Sequence, residues 1–201
     1  MAEHYFTAEP SSAERRTPVP VTVWGHDLTL QTASGVFAAG RLDRGTAVLL
    51  RETVPPGRAG TFLDLGCGYG VIACALAAAT QGSDVWAVDV NERALGLTAD
   101  NARALGLHDR VHAALPDDVP PGAVFDEIWS NPPIHIGKAA LHDLLERWLA
   151  RLTPQGRAVL VVGKNLGADS LQRWLADRGH PVERRASAKG FRVLEVRAAS
   201  T

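Results

Sequence analysis

From Thr61 onward the chain alternates between short apolar segments of strand length and longer segments with helical spacing of apolar residues. Thr61–Leu65 and Ala158–Val162 are continuously apolar or nearly so, as expected for strands buried on both faces. Such alternation predicts an α/β fold: a doubly wound, mostly parallel, seven-stranded sheet with right-handed crossovers. The other predicted strands are 85–88, 110–114, 125–129, 182–186 and 191–196, and the predicted helices are 71–79, 92–105, 139–152 and 166–178.

The first 57 residues have a different pattern, which predicts an extension in front of the sheet. Val19–Val23 and Leu28–Leu30 flank Gly25–Asp27, which indicates a β-hairpin. Asp43 is placed to cap a short helix that ends before Pro55-Pro56-Gly57. We expect residues 1–57 to form an arm, hairpin and helix that pack on a core of residues 58–201, as one structural domain.

Composition limits the classes of function. The formal net charge is -1, so affinity for nucleic acid has to come from a local patch. The two cysteines, Cys67 and Cys74, are too few for a disulfide framework, and no Cys/His spacing indicates zinc. No apolar run reaches the ~20 residues that span a bilayer, and the start lacks a signal-peptide core, so the expected location is the cytoplasm.

The segment Asp64-Leu65-Gly66-Cys67-Gly68-Tyr69-Gly70 follows the first core strand and opens a helix. A dinucleotide fingerprint needs glycine at 66, 68 and 71, but residue 71 is valine. The G-x-G-x-G spacing resembles the cofactor loop of class I methyltransferases, which implies S-adenosylmethionine as cofactor. The alternative is a glycine-rich turn that binds nothing.

Asp89 ends the next strand, about 20 residues after the glycine loop, where an acid accepts hydrogen bonds from ribose hydroxyls. This placement supports a nucleoside cofactor without choosing among them. The alternative role is to cap the helix that begins near Glu92, a role that Asn91 also suits.

The segment Ser130-Asn131-Pro132-Pro133-Ile134-His135 follows strand 125–129 and falls on the same edge of the sheet. Transfer of a methyl group to an amine requires the nitrogen lone pair to point along the sulfur–methyl axis. The Asn131 amide oxygen and the Pro132 carbonyl can each accept one N–H bond from a planar amine, and Pro133 helps to stiffen the loop. The sequence therefore predicts an N-methyltransferase with Asn131, Pro132 and Pro133 at its catalytic site.

Taken together, the motifs resemble the catalytic domain of the bacterial small-subunit rRNA guanine-N2 methyltransferase family and its single-domain archaeal relatives. The resemblance rests on segments in one order from His4 to Val196: His4-Tyr5-Phe6, Gly35-Val36-Phe37, Leu42–Thr46, the glycine loop, Ser130–Lys138 and Lys189–Leu194. It implies transfer of a methyl group to N2 of guanine, with RNA, and specifically small-subunit rRNA, as partner.

The resemblance also implies site residues. The implied cofactor contacts are Phe37, Thr46, Asp64, Gly66, Cys67, Gly68, Asp89, Val90, Ala114 and Asn131. Ala114 stands where relatives carry Asp or Asn to meet the adenine amine, so a backbone group or Asp117 is the expected substitute. The implied substrate contacts are Ile134, His135, Lys138 and Phe191, although a loop histidine such as His135 also suits a plain surface position.

Two features leave the substrate open. Characterised bacterial relatives have an additional N-terminal domain that we do not expect in this protein. One group of basic residues lies near the C-terminal strands: Arg184, Arg185, Lys189 and Arg192. A second group is predicted at the active-site edge: Arg41, Arg44 and Lys138. Such charges either bind phosphates or form a solvated face. The alternatives are a protein glutamine or small-molecule amine as acceptor, and a cofactor-binding assembly factor without catalysis.

Overall fold

The computed structural model describes residues 14–133 and 136–199. The strands in that part of the chain are β1 (Arg16–Val23), β2 (His26–Ala33), β3 (Thr61–Leu65), β4 (Asp84–Val88), β5 (Val111–Ala114), β6 (Phe125–Ser130), β7 (Leu152–Gly163), β8 (Val182–Ala188) and β9 (Phe191–Arg197). The α-helices are α1 (Arg44–Arg51), α2 (Val71–Ala79), α3 (Glu92–Ala104), α4 (Lys138–Leu149) and α5 (Ala168–Asp177).

Seven strands form one sheet in the order β5-β4-β3-β6-β7-β9-β8. The first five in this order are mutually parallel, and β9 runs antiparallel to both β7 and β8. The predicted doubly wound, mostly parallel sheet is confirmed. The chain proceeds outward from β3 to β5 and then returns to the other side of β3 with β6, so a topological switch point lies between β3 and β6, where such folds bind ligands.

The two faces of the sheet bury separate apolar cores. Phe62 and Trp129 lie in a core shared with α1, α2 and α3, while Leu63 and Ile128 lie in a core shared with α4 and α5. Neighbouring residues of a strand point to opposite faces, which explains why these strands are apolar throughout.

The predicted N-terminal hairpin is present: β1 and β2 pair antiparallel around a turn at Trp24 and Gly25. Its buried side chains share the core of α2 and α3. Residues 71–77 of α2 are all buried, because the sheet covers one side of this helix and the hairpin covers another. A helix that is apolar on all sides is stable only in such surroundings.

Several predicted boundaries were wrong. The helix predicted over 139–152 ends at Leu149, because the chain turns there and Leu152 already belongs to β7. The last helix begins at Ala168 rather than Leu166, because Gly167 takes a left-handed conformation that separates it from a short 3₁₀ turn at Lys164–Leu166. Strand β7 begins at Leu152 rather than Ala158. Its first half contains Pro154 and Gly156, which are poor strand residues, and it pairs with β6 through an irregular register.

The entry to α2 generates a stability prediction. Gly70 has φ +84°, and a Cβ there would lie 2.8 Å from the Thr98 side chain. Gly70→Ala should therefore lower the free energy of unfolding by about 2 kcal/mol or more. Gly96, exposed inside α3 with open space around it, is the matched control; Gly96→Ala should raise stability by about 0.5–1 kcal/mol. Urea unfolding measures both, and equal stability of wild type and the Gly70 variant would contradict the close approach of Thr98.

Candidate functional site

The glycine loop and the Asn131–Pro133 segment lie side by side at the carboxyl edge of the sheet. Strands β3 and β6 are adjacent and parallel, with Asp64 opposite Trp129. The Ser130 hydroxyl donates a hydrogen bond to the Leu65 carbonyl at 2.6 Å. A Cβ built on Gly66 would lie 3.8 Å from Pro133 Cδ. The two segments therefore face each other across a narrow gap, which a larger side chain at residue 66 would enter.

A cavity of about 360 Å³ opens between these segments, within the usual size range for small-molecule sites. Most of the site residues predicted from the sequence line it: Phe37, Thr46, Gly66, Cys67, Gly68, Asp89, Val90, Asn131, Pro132, Pro133 and Phe191. Its walls are mainly apolar. Three of the few exposed large apolar side chains of the described residues, Phe37, Val90 and Leu166, belong to it.

Hydrogen bonds hold the glycine loop against the end of β4. The backbone N–H groups of Gly66 and Cys67 both donate to the Val88 carbonyl, at 2.8 and 3.0 Å. Gly68 N donates to one Asp89 carboxylate oxygen at 2.9 Å, and Asn91 N donates to the other at 3.0 Å. The side chain that caps α3 is Asn91, which accepts from Ala94 N. Asp89 is therefore held at the cavity wall and is not the helix cap.

Asp64 does not line the cavity. Its side chain is fully buried beneath the glycine loop, where one oxygen accepts from Ala73 N at 2.9 Å. The other oxygen has no hydrogen-bond partner among the described residues. Burial raises the pKa of Asp64 to about 8, with a further contribution from the charge of Asp89. Asp64 thus stabilises the first turn of α2. Because it does not line the cavity, it is not placed to contact the cofactor directly.

The amide of Asn131 is held in one orientation. Its Nδ2 donates to the Asp43 carboxylate at 2.7 Å and to the Thr46 hydroxyl at 3.1 Å. An ionised carboxylate only accepts hydrogen bonds, so Nδ2 has to be the atom that faces Asp43. Because the amide nitrogen already donates to Asp43 and Thr46, a ligand in the cavity would meet Asn131 as a hydrogen-bond acceptor.

Asp43 also caps α1, as predicted, by accepting from Thr46 N at 3.0 Å. Its second role, holding Asn131, was missed, because the two residues are 88 positions apart. Gly45 makes the close approach possible: a Cβ there would lie 3.0 Å from an Asp43 oxygen and 3.1 Å from Asn131 Oδ1. The Leu42–Thr46 segment therefore builds part of the site.

The segment before α1 covers the cavity on the glycine-loop side. The Tyr69 hydroxyl donates to the Arg41 carbonyl at 3.0 Å, and Asn91 Nδ2 donates to the Gly35 carbonyl at 3.0 Å. These bonds place Phe37 and Leu42 over the cavity. Several lining residues were not predicted from the sequence, among them Leu42, Tyr69, Pro116, Leu144, Gly163 and Leu166. Two of them could have been predicted from their positions in the chain, because Pro116 follows β5 and Gly163 ends β7, both at the carboxyl edge of the sheet.

Two further predicted residues that the structure describes, Ala114 and Lys138, do not line the cavity. Ala114 is buried at the end of β5, and Lys138 is exposed at the start of α4. Asp117, the suggested substitute for Ala114, forms an ion pair with Arg147 instead. Ile134, His135 and the His4–Phe6 motif lie outside the described residues.

The described residues contain no group of three or more His, Cys, Asp or Glu side chains placed to hold a metal ion. None of their helices combines the length and the apolar character needed to cross a membrane.

The buried carboxyl of Asp64 predicts a pH dependence of stability. Its pKa is about 8 in the folded chain and ordinarily 3.8, so the folded state binds an extra proton between these values. The free energy of unfolding should therefore fall as pH rises from about 4 to about 8, by on the order of 1 kcal/mol per pH unit from this group. Asp64→Asn should remove this slope, while Asp117→Asn, an exposed control, should retain it. Parallel slopes for wild type and Asp64→Asn in urea unfolding would refute the assignment.

Comparison with proteins of known sequence agrees with this geometry. The methyltransferase small domain model matches residues 27–195. YbxB of Bacillus subtilis strain 168 is 30% identical over 199 residues, 98% of this chain and 99% of that protein. Ribosomal RNA small subunit methyltransferase C of Pseudomonas syringae pv. syringae is 30% identical over 90% of this chain, and that of Colwellia psychrerythraea is 33% identical over 73%. The chain spans 54% and 42% of the lengths of these two rRNA methyltransferases.

Solved structures show the same fold. The T. thermophilus 16S rRNA N2 G1207 methyltransferase, in complex with AdoMet and guanosine, superposes with a TM-score of 0.74 at 26% identity, over 92% of this chain and 51% of its own. A ribosomal protein L11 methylase from Lactobacillus delbrueckii subsp. bulgaricus superposes with a TM-score of 0.62 at 20% identity, over 80% of this chain and 85% of its own. The match to residues 27–195 and these superpositions lead to one conclusion: the chain belongs to the methyltransferase small domain family of S-adenosylmethionine-dependent class I methyltransferases.

Proposed function

We propose that this chain is a cytoplasmic enzyme that transfers the methyl group of S-adenosylmethionine to the N2 amine of a guanine in RNA, specifically small-subunit rRNA. One observation carries the proposal: Asn131, whose amide nitrogen is bound by Asp43 and Thr46, lines a cavity that the glycine loop also lines. An acceptor that holds an amine and a loop that receives the methyl donor thus share one cavity.

The residues of the glycine-loop side suit the cofactor. S-adenosylmethionine supplies an activated methyl group on a positively charged sulfur. Gly66 lines the cavity without a side chain, so the amino-acid end of the cofactor can approach the backbone closely there. The Asp89 carboxylate is held at the cavity wall, where it would accept bonds from the ribose hydroxyls. Phe37 and Val90, both partly exposed and lining the cavity, would flank the adenine.

The residues of the other side suit a planar aryl amine. Asn131 Oδ1 and the Pro132 carbonyl would each accept one N–H bond from the guanine amine and point its lone pair at the methyl group. The Pro133 carbonyl accepts from Ile136 N at 3.2 Å, which helps to fix the loop that carries both acceptors. Pro133, Leu166 and Phe191 provide apolar surfaces for the base. No strong base is needed, because the methylated amine releases its proton to water.

The relatives support the choice of guanine in RNA over other amines. The T. thermophilus relative, solved with AdoMet and guanosine, shares the fold over 92% of this chain. Two of the relatives bear the name ribosomal RNA small subunit methyltransferase C.

The test is incubation of the protein with isotopically labelled S-adenosylmethionine and either small ribosomal subunits or their rRNA. Nucleoside mass spectrometry should find the label in N2-methylguanosine. Label in a protein glutamine or a small molecule, with none in RNA, would replace the proposed substrate by another amine. Cofactor binding without transfer to any acceptor would favour a non-catalytic assembly factor.

Substitution of Asn131 tests the acceptor directly. Asn131→Ala should lower kcat about 100-fold or more, because one of two fixed acceptors is lost, while cofactor affinity stays within a few fold. Gln155→Ala, which removes an exposed amide at the opposite edge of the sheet, is the control and should leave kcat unchanged. Single-turnover methylation and calorimetric titration with cofactor measure the two effects. A normal rate for Asn131→Ala would remove the basis of the proposal.

Asp43 is expected to act as a positioning residue. Asp43→Asn keeps a capping side chain for α1 but removes the charge that fixes the Asn131 amide. We expect kcat to fall about 10-fold with KM nearly unchanged, since a misoriented acceptor lowers the productive fraction of the bound amine. Thermal unfolding close to that of wild type would separate this effect from loss of the helix cap. A rise in KM with normal kcat would contradict the positioning role.

A further inference from the structure

The charges of the C-terminal strands are largely neutralised by neighbouring acids. Arg184 and Arg192 both form ion pairs with Asp169, and Arg185 forms ion pairs with Glu183 and Glu195. The basic cluster predicted at 184–192 therefore retains only Lys189 without an ion pair among the described residues.

A second set of cations surrounds the mouth of the cavity. We call Arg41, Arg44, Lys138, Lys164 and Lys189 the basic rim. All five are exposed. Within residues 14–133 and 136–199 none of them forms an ion pair, although most other arginines of that part do.

Four separate segments bring the basic rim together. Arg41 and Arg44 flank Leu42 and Asp43, which line the cavity. Lys164 N donates to the Gly190 carbonyl at 2.8 Å, so the turns that carry Lys164 and Lys189 are in contact.

The residues beside those two turns continue the same opening. Gly163, Leu166 and Phe191 line the cavity next to Lys164 and Lys189. Lys138 begins α4 shortly after Pro133, which lines the cavity and whose carbonyl accepts from Ile136 N at 3.2 Å. The rim thus borders the cavity on the α1 side, on the β7–β9 side and at the start of α4.

The position of these charges favours a nucleic acid that places one base in the cavity and its phosphates at the mouth. An enzyme that modifies a base atom has to take the base out of its stack, which leaves the flanking phosphates at the mouth of the pocket. The whole chain has a net charge of -1, so attraction to RNA has to be local. Inside the mouth, by contrast, the charged residues lining the cavity are the acids Asp43 and Asp89.

We propose that the basic rim binds the phosphates on either side of the guanine that enters the cavity. The inference rests on the proposed function, since it takes RNA as the substrate. Lys138, predicted from the sequence as a substrate contact, then acts on the RNA backbone and not on the base.

The test compares two double charge reversals. The rim variant is Lys164→Glu/Lys189→Glu. The control variant, Arg58→Glu/Arg173→Glu, makes the same change of net charge at exposed sites away from the rim. Arg58 lies at the opposite edge of the sheet, and Arg173 lies on the outer side of α5. Fluorescence anisotropy measures binding of a small-subunit rRNA fragment over a series of KCl concentrations. Calorimetry with S-adenosylmethionine measures cofactor binding.

The rim variant should bind RNA at least ~10-fold more weakly at low salt, and the slope of log K against log salt should decrease by about 1.5, the value for two lost phosphate contacts. The control should match wild type, cofactor affinity should be unchanged in both, and Lys164→Arg/Lys189→Arg should restore binding. Equal losses in the rim and control variants, or none in the rim variant, would overturn the rim assignment.

The two proposals fail in different ways. Tight, rim-dependent RNA binding without formation of N2-methylguanosine would overturn the proposed reaction and leave the rim in place. Methylation of RNA that proceeds with normal affinity in the rim variant would overturn the rim and leave the reaction in place.

Discussion

The hydrogen bond between Asp43 and Asn131 is the interaction on which the site depends. It joins an extension in front of the core to the loop after β6, across 88 positions of sequence. A carboxylate that accepts from the amide nitrogen leaves the amide only one orientation. Without that bond only the Thr46 hydroxyl would hold the amide, and because a hydroxyl can pair with either the amide nitrogen or the amide oxygen, the orientation of Asn131 would not be fixed. The bond thus converts a flexible polar side chain into a directed acceptor.

The doubly wound topology explains why the loops after neighbouring strands supply most of the cavity residues. Parallel strands end at one edge, and the switch point between β3 and β6 separates the loops that follow them. The glycine loop, Asp89 and the Asn131 segment all begin at those strand ends. The N-terminal hairpin contributes by a different route: it covers α2 and leads into the residues that close the cavity.

Acidic residues lie at the cavity, and the cations of the basic rim lie outside it. The acids at the cavity, Asp43 and Asp89, are held by hydrogen bonds to backbone or amide N–H groups. The cations of the basic rim are exposed and outside the cavity. The charged residues inside a mainly apolar cavity are acids, which suits a cationic methyl donor, and a rim of cations suits the polyanionic acceptor proposed above.

Sequence alone determined the parallel core, the hairpin, the glycine loop and the position of Asn131, because periodic apolar patterns and glycine spacing are local signals. Asp89 was placed correctly at the cavity for the same reason. The deep position of Asp64, the second role of Asp43 and the neutralised charges at Arg184 and Arg185 were decided only by tertiary structure. Each depends on a partner distant in sequence, and a hydrogen bond or ion pair between distant residues produces no pattern that can be recognised in the sequence.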